Sequence, residues 1–310
     1  MKEIAKGVYP TMITPYTNDN KIDFDAVEKL VEFYAKNGCT GIFAVCQSSE
    51  MFYLTLKERI SLAKATIDAA KKGGRKIDVV VSGHISNEIE AQAEELIAIY
   101  ETGADAAVFV SNRLDLHNDG DLTFIKNAEK LLKLLPDDMP LGIYECPYPY
   151  KRLLSDEILR WCMSTKRFRF IKDTCCDVEM LKNRLELLAG SEIGLFNANA
   201  QTFLYTAENG CAGYSGIMAN FHPQLYVWLY ENFDKSPEKA KEIQSLISIA
   251  AFTECMHYPC TAKQYLNDLG ITMNNYSRSR DSKGVTPYEK MILEQIHTLT
   301  DISERIISAE

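Results

Sequence analysis

One lysine of this sequence lies inside a short apolar run, residues 168–174. If the run is a strand, alternation places Phe168, Phe170 and Lys172 on one face. Desolvation disfavours a charged ammonium group and lowers its pKa, and a neutral amine attacks ketones to form a Schiff base. A strand lysine also occurs at sheet edges with its head in water, so the residues around it must decide between the two interpretations.

The surrounding sequence alternates between predicted strands and predicted helices. Helical spacing is clear at Val27, Leu30, Val31 and Tyr34, which follow Asp23 as a capping residue. Strands are predicted at 7–15, 41–45, 77–83, 104–110, 140–146, 168–174, 193–199 and 213–217. Each is followed by a predicted helix, which favours an α/β fold of the (β/α)8 TIM-barrel type over a doubly wound open sheet.

The end of the chain has a different pattern, with helical spacing at about 236–252, 259–269 and 287–308. We therefore divide the chain into a (β/α)8 barrel domain that carries the active site, residues 1–232, and a C-terminal all-helical extension, residues 233–310. In such a barrel the active site lies at the carboxyl ends of the strands. The polar residues predicted there are Gln47, Ser48, Ser49, Glu50, Tyr144, Glu145, Lys172, Asn197, Asn199 and Ser215.

Composition limits the classes of function. The chain has 310 residues, 46% hydrophobic and 25% charged, which is ordinary for a globular protein. Its formal net charge of −9 disfavours nucleic acid or an anionic membrane as the main partner. No apolar run approaches the ~20 residues of a membrane span, and the N-terminus lacks a secretory apolar core. We therefore expect a cytoplasmic protein.

The nine cysteines predict neither disulfides nor a metal site. Their number is odd, no C-x-x-C pair occurs, and Cys175 and Cys176 are adjacent, which indicates reduced thiols. Cys255 and Cys260 flank His257 and resemble half of a zinc site, but a second pair of ligands at zinc spacing is missing. We therefore expect no metal.

In this order, the residues resemble the dihydrodipicolinate synthase and N-acetylneuraminate lyase family of pyruvate-dependent class I (Schiff-base) lyases. Segments 7–15, 48–50 and 210–220 are similar to the family's opening strand, strand-two loop and glycine-rich strand-eight segment. Tyr144 and Pro147 match its Tyr-Asn-x-Pro motif, and Lys172-Asp173-Thr174 matches its Schiff-base lysine motif. The interval of 28 residues between Tyr144 and Lys172 is also the family's. Each match is weak alone, and together they are specific.

The resemblance implies a lyase or aldolase whose Lys172 forms a Schiff base with a 2-oxo acid, most simply pyruvate. It implies that Tyr144 is the acid and base, with a pKa lowered from about 10 by a nearby cation. Substrate contacts are expected from Gln47, Ser48, Ser49 and Ser215. No cofactor is implied beyond the covalent lysine, and the second substrate is an unknown aldehyde or sugar acid. Family members are usually homotetramers, so we expect an oligomer.

The chain departs from both well-known branches of that family. Pro149 lies where one branch has an arginine for a second carboxylate, and residues 110–114 lack that branch's tyrosine pair. Ala200 and Gln201 replace the acidic pair that the other branch uses for sugar hydroxyls. Neither lysine biosynthesis nor sialic acid cleavage is therefore expected.

Two charged residues near the strand ends are further candidates. Arg113 is a candidate ligand for a distal carboxylate. Glu145 replaces the asparagine of the tyrosine motif, and as an extra carboxylate it would serve as a base or repel acidic acceptors. The bulky residues Phe52, Tyr53 and Tyr148 are expected to narrow the acceptor pocket.

Three functions are compatible with these residues. The first is a lyase that cleaves or forms the C–C bond next to pyruvate. The second is a dehydratase of 2-oxo-3-deoxy sugar acids, which uses the same iminium but breaks a C–O bond. The third is a catalytically retired barrel that binds a ligand, an alternative suggested by the altered strand-two loop.

Overall fold

The computed structural model of the protein describes residues 2–280 and 284–309. In this part of the chain, eight parallel strands form the inner layer, in the hydrogen-bonding order β1-β8-β7-β6-β5-β4-β3-β2. Their bounds are β1 Gly7–Val8, β2 Gly41–Ala44, β3 Asp78–Val81, β4 Ala106–Val110, β5 Leu141–Tyr144, β6 Phe168–Asp173, β7 Gly194–Asn197 and β8 Gly213–Tyr214. From β2 to β8 each strand therefore pairs with the next strand in the chain, and β1 pairs with β8.

The barrel closes between the segment after β1 and strand β2. Thr11 forms a parallel bridge with Phe43, the Phe43 N–H donates to the Pro10 carbonyl at 3.0 Å, and the Met12 N–H donates to the Phe43 carbonyl at 3.0 Å. The predicted (β/α)8 TIM barrel is thus confirmed, and the open-sheet alternative is wrong. The first strand is shorter than the predicted 7–15, because the chain leaves β8 after Val8 and crosses to β2.

Helices follow the strands and cover the barrel. They are α1 Phe24–Lys36, α2 Leu56–Lys71, α3 Ile89–Tyr100, α4 Asp121–Leu132, α5 Asp156–Thr165, α6 Val178–Leu188, α7 Phe203–Glu208 and α8 Pro223–Asn232. The predicted cap of α1 is confirmed, since the Asp23 carboxylate accepts a hydrogen bond from the Ala26 N–H at 3.0 Å. The positive φ of 80° at Gly38 ends the turn after this helix.

The extension consists of α9 Pro237–Ala250, α10 Cys260–Asp268 and α11 Pro287–Ser308. Ile243 and Ile247 of α9 and Leu293 of α11 are buried in the same apolar core as the barrel. The segments between these helices lie at the cavity described below. None of the helices in the described ranges has the length and apolarity needed to cross a membrane.

The contact between β1 and β8 requires glycine. A Cβ added at Gly213 would lie 1.7 Å from the Gly7 carbonyl oxygen. We expect Gly213→Ala to lower the free energy of unfolding by about 3 kcal/mol or more, because the two strands must separate to admit the methyl group. Denaturant unfolding measures the change.

Gly210→Ala is the matched control. An added Cβ there meets nothing within 4 Å, and only its φ of 87° is strained, so we expect a loss of about 1–2 kcal/mol. Equal losses in the two variants would contradict the steric account of barrel closure.

Candidate active site

Lys172 lies on the inner face of the barrel. In β6 it is directly opposite Tyr144 of β5, and its Nζ lies 4.2 Å from the centroid of the Tyr144 ring. The side chain is 5% exposed, so it does not extend into bulk water. No carboxylate in the described part of the chain forms an ion pair with it. The predicted proximity of the lysine and the tyrosine is therefore what the structure shows.

An aromatic layer lies beneath the amine. The Phe170 ring packs against the rings of Tyr9, Phe43 and Phe196, with centroids 4.6–5.8 Å apart. The Phe43 ring centroid is 5.8 Å from the lysine Nζ. Burial among these rings lowers the pKa of Lys172, because the charged form loses its hydration.

Phe168 does not share the face of Lys172, contrary to the alternation expected from the sequence. The pairing of β5 and β6 shifts register between Leu141 and Gly142, and such a bulge changes the side to which a residue points. Phe168 instead packs against Trp161 of α5, with ring centroids 5.6 Å apart. The inner face therefore begins at Phe170.

Burial, and not a cation, dominates the acidity of Tyr144. Its pKa is raised well above the usual value, mainly because the ring is buried. The expected lowering by a neighbouring cation is wrong, because the lysine beside it is itself desolvated. The Tyr144 hydroxyl is hydrogen-bonded to the Cys146 thiol, whose Sγ donates to Gln47 Oε1 at 3.3 Å. Tyr144 is therefore a protonated phenol and not a phenolate at neutral pH.

Lys172 and Tyr144 line a cavity of about 570 Å³ at the carboxyl ends of the strands. Gln47 and Ser48 of the strand-two loop also line it. The Ser48 hydroxyl donates to Thr11 Oγ1 at 3.1 Å. Of the predicted substrate contacts, these two are in position to meet a ligand.

Ser49 and Ser215 do not line the cavity. The Ser49 hydroxyl donates to the Met12 carbonyl at 2.6 Å, which fixes the loop to the first segment. Ser215 is fully buried, and its N–H donates to the Asn197 carbonyl at 2.8 Å. Gly216 and Ile217, the next two residues, are the ones that line the cavity.

Arg113 lies outside the cavity lining. Its guanidinium donates to Asn112 Oδ1 at 3.0 Å and Asn87 Oδ1 at 3.1 Å. Arg152 also lies outside the cavity lining, where it forms ion pairs with Asp115 at 2.8 Å and Asp121 at 2.7 Å. The structure therefore gives the predicted carboxylate contact of Arg113 no support.

Glu145 faces away from the cavity, so its predicted role as a base or as a repellent of acidic acceptors is wrong. Its carboxylate pairs with Arg184 at 2.8 Å and accepts the Thr174 N–H at 2.8 Å. Arg184 also pairs with Asp173. Alternation along β5 explains this orientation, since Tyr144 points inward and the next residue must point outward. Glu145 therefore holds the chain just after Lys172.

The cavity mouth carries the aromatic residues that were expected to narrow it. The rings of Phe52 and Tyr148 meet edge to face, with centroids 5.0 Å apart, and Tyr53 lines the cavity beside them. Lys151, near the same edge, donates to the Thr174 carbonyl at 2.8 Å.

Sequence reasoning missed the contribution of the extension. Six residues beyond the barrel line the cavity: Glu254, Cys255, Tyr258, Pro259, Ser279 and Arg280. The Tyr258 hydroxyl accepts a hydrogen bond from Asn220 Nδ2 at 3.2 Å and bonds with Ser48 and Thr11. No motif in the sequence indicates this, because Tyr258 is more than two hundred residues from Ser48 and Thr11.

Glu50 ties the extension to the strand-two loop. Its Oε2 accepts hydrogen bonds from the Ser277 hydroxyl at 2.9 Å, the Arg278 N–H at 2.6 Å and the Ser279 N–H at 2.7 Å. Lys263 lies 3.6 Å from the same carboxylate. Glu50 thus holds in place the segment that borders the cavity.

Residues 2–280 and 284–309 contain no cluster of three or more histidine, cysteine, aspartate or glutamate side chains that suits a metal ion. All nine cysteines are unpaired. His257, flanked by two of them, lies 3.4 Å from Glu289.

The pattern of the dihydrodipicolinate synthetase family matches residues 4–302 of the chain. A relative, the 4-hydroxy-tetrahydrodipicolinate synthase of Brachyspira hyodysenteriae, is 23% identical over 277 residues, covering 87% of this chain and 89% of its own. Among solved structures, dihydrodipicolinate synthase from Acinetobacter baumannii complexed with pyruvate aligns with a TM-score of 0.82 at 21% identity, covering 96% and 99% of the two chains. The sialic acid aldolase of Ruminococcus gnavus aligns with a TM-score of 0.84 at 18% identity, covering 98% and 99%. At these identities the structures establish a shared fold.

The pairing of Glu145 with Arg184 is open to a stability test. Because both side chains are buried, Glu145→Gln leaves a buried guanidinium with less charge compensation. We expect the free energy of unfolding to fall by about 3–5 kcal/mol. Chemical denaturation measures it.

Glu192→Gln removes the same charge at an exposed carboxylate, which pairs with Arg169 at 2.8 Å and is 71% exposed. A loss below about 1 kcal/mol is expected there. A loss in Glu145→Gln as small as in this control would rule out a supporting role for the buried pair.

Proposed function

This chain belongs to the dihydrodipicolinate synthetase family, and on that premise we propose that it is a pyruvate-dependent lyase that works through a Schiff base at Lys172. The family resemblance read from the sequence is confirmed, and with it the assignment as a lyase. The observation that supports the Schiff base is the buried lysine amine at the floor of the cavity, 4.2 Å from the centroid of the Tyr144 ring.

The amine begins the reaction. Because burial lowers the pKa of Lys172, a larger fraction of the amine is neutral near pH 7 and attacks C2 of the 2-oxo acid. Loss of water from the carbinolamine gives an iminium. This cation withdraws electrons from C3, so that a C3 proton leaves to give an enamine. The enamine carbon then attacks an aldehyde, and in reverse the C3–C4 bond breaks.

Tyr144 carries the protons. As a phenol of raised pKa, it donates to the departing water and to the oxygen of the aldehyde, and it recovers a proton in concert with each step. The hydrogen bonds through Cys146 to Gln47 hold its hydroxyl in one orientation. The reaction needs no metal or other cofactor, because the protonated imine is itself the electron sink.

The carboxylate of the 2-oxo acid binds between the strand-two loop and the extension. Ser48 and Tyr258 supply hydroxyl groups there, and both line the cavity. Gly216 and Ile217 border the same space with their backbone. These groups fix C2 in front of the amine.

The other hypotheses have less support. A retired ligand-binding barrel is not favoured, because Lys172 and Tyr144 both line the cavity. Dehydration of a 2-oxo-3-deoxy sugar acid uses the same iminium, and an assay that separates pyruvate release from water loss distinguishes it. A homotetramer and a cytoplasmic location stay predictions.

Reduction with borohydride tests the Schiff base directly. Treatment in the presence of pyruvate should leave a stable pyruvate-derived mass on Lys172, found by peptide mass spectrometry. Lys263 is an internal control, because it is also buried and its pKa is lowered to about 8 by burial, but its Nζ lies outside the cavity, over the Tyr16 ring. Lys172→Ala should form no adduct and have no turnover while its unfolding transition is kept. An adduct on both lysines, or on neither, would refute the proposal.

Tyr144→Phe tests the proton carrier. The variant keeps the ring that covers the lysine, so we expect the borohydride adduct to form while kcat falls by about 10²–10⁴-fold. Tyr230→Phe is the control, since that hydroxyl donates to the Cys211 carbonyl at 3.0 Å, away from the cavity. A kcat for Tyr144→Phe equal to that of the control would exclude the role.

A further inference from the structure

We infer that Glu254, supplied by the helical extension, is a specificity-determining residue that selects an aldehyde bearing hydroxyl groups and rejects one bearing a second carboxylate. The inference rests on the proposed function, because it concerns the substrate that meets the pyruvate enamine. It names the chemistry of that substrate, which the sequence left open.

Glu254 reaches the cavity from a short turn between α9 and α10. It follows the 3-10 turn Ala251–Thr253, and it lines the cavity together with Cys255 and Tyr258. The side chain is half-buried. Tyr258 is anchored to Asn220 at 3.2 Å, so the turn is fixed against the barrel on the side where a second substrate must enter.

Two glutamates line this cavity, and their surroundings differ. Oε2 of Glu50 accepts hydrogen bonds from the Ser277 hydroxyl and the N–H groups of Arg278 and Ser279, and Lys263 lies 3.6 Å from its Oε1. The Glu254 carboxylate makes no hydrogen bond or ion pair with any side chain or backbone group among residues 2–280 and 284–309. A half-buried carboxylate at the wall of an open cavity is hydrated, and it can exchange that water for donor groups of a bound molecule. Glu254 is therefore the acceptor left available to a ligand.

The pKa of the Glu254 carboxyl depends on the charge of Lys172. Burial raises the pKa of the carboxyl, and Lys172 opposes this increase. When the amine becomes a protonated iminium, it carries a positive charge, which favours the ionised carboxylate until loss of the C3 proton gives the neutral enamine, and again once the new C–C bond restores the iminium. In both iminium states the cavity thus presents an anion to the second substrate. Substrate hydroxyls donate strong hydrogen bonds to such an anion, whereas a second carboxylate is repelled.

The arginine and lysine side chains near the cavity do not cancel the preference for hydroxyl groups over a second carboxylate. Arg113 and Arg152 are held outside the cavity by other partners, and Pro149 offers no charge. Lys151 lines the cavity, but its ammonium group donates to the Thr174 carbonyl at 2.8 Å. Arg280 also lines it and is exposed at the edge. Because Arg280 is exposed to water whereas Glu254 is half-buried, the charge of Arg280 is screened more strongly than that of Glu254.

Glu254→Gln tests the inference with pyruvate and three aldehydes. Glyceraldehyde offers hydroxyl groups, propanal offers none, and succinic semialdehyde has a second carboxylate. The wild-type protein should have its highest kcat/KM with glyceraldehyde. In the variant we expect the preference for glyceraldehyde over propanal to fall at least about tenfold, through loss of a charge-assisted bond. The relative kcat/KM for succinic semialdehyde should rise.

Two controls separate an effect on aldehyde selection from an effect of net charge and from an effect on iminium formation. Glu192→Gln changes the net charge equally but lies just before β7, at the opposite end of the barrel, and it should keep the wild-type preference. Borohydride trapping of pyruvate should still label Lys172 in Glu254→Gln, because the amine that forms the iminium is unchanged in this variant.

The outcomes are distinct. An adduct on Lys172 with the same aldehyde preference in wild type and Glu254→Gln overturns the role of Glu254 and leaves the proposed function intact. An adduct without turnover of glyceraldehyde or any longer hydroxyaldehyde overturns it as well. Failure of the wild-type protein to form the adduct overturns the proposed function and this inference together.

Discussion

Burial of the Lys172 amine, which forms no ion pair within the described part of the chain, is the constraint on which the site depends. The rings of Phe170 and Phe43 exclude water below it, and the Tyr144 ring covers it from the neighbouring strand. Because water hydrates an ammonium group far better than aromatic carbon does, the charged form is penalised and the nucleophilic form is favoured. The rest of the fold must compensate for this unfavourable burial, since groups with a shifted pKa are typical of functional sites.

Strands β5 and β6 keep Lys172 in this position, because their side chains alternate between the inner and the outer face of the barrel. Tyr144 and Lys172 face the cavity, whereas Glu145 and Asp173, the next residue in each strand, face outward to Arg184. One buried guanidinium thus joins the backs of the two strands that carry the reactive groups. The network fixes the position of the lysine and adds no charge to the cavity itself.

The C-terminal extension instead supplies charged and polar side chains at the open side of the cavity. Glu50 binds the backbone of residues 277–279 and so holds one part of the extension over the strand-two loop. Tyr258 and Glu254 enter the cavity from the turn before α10. A barrel can therefore take a different second substrate when the segments above its strands differ. Within the described residues of this chain, the carboxylate of Glu254 has no hydrogen-bond or ion-pair partner and lines the cavity.

The sequence by itself determined the strand and helix order, the barrel and the family, because local periodicity and the spacing of short motifs carry that information. Only the tertiary structure decided which way Glu145 and Phe168 point, since a bulge and strand alternation in three dimensions set the facing side. It also decided that Arg113 lies outside the cavity and that Glu254 lies within it. Such contacts join residues far apart in the chain, and no local pattern encodes a distance between them.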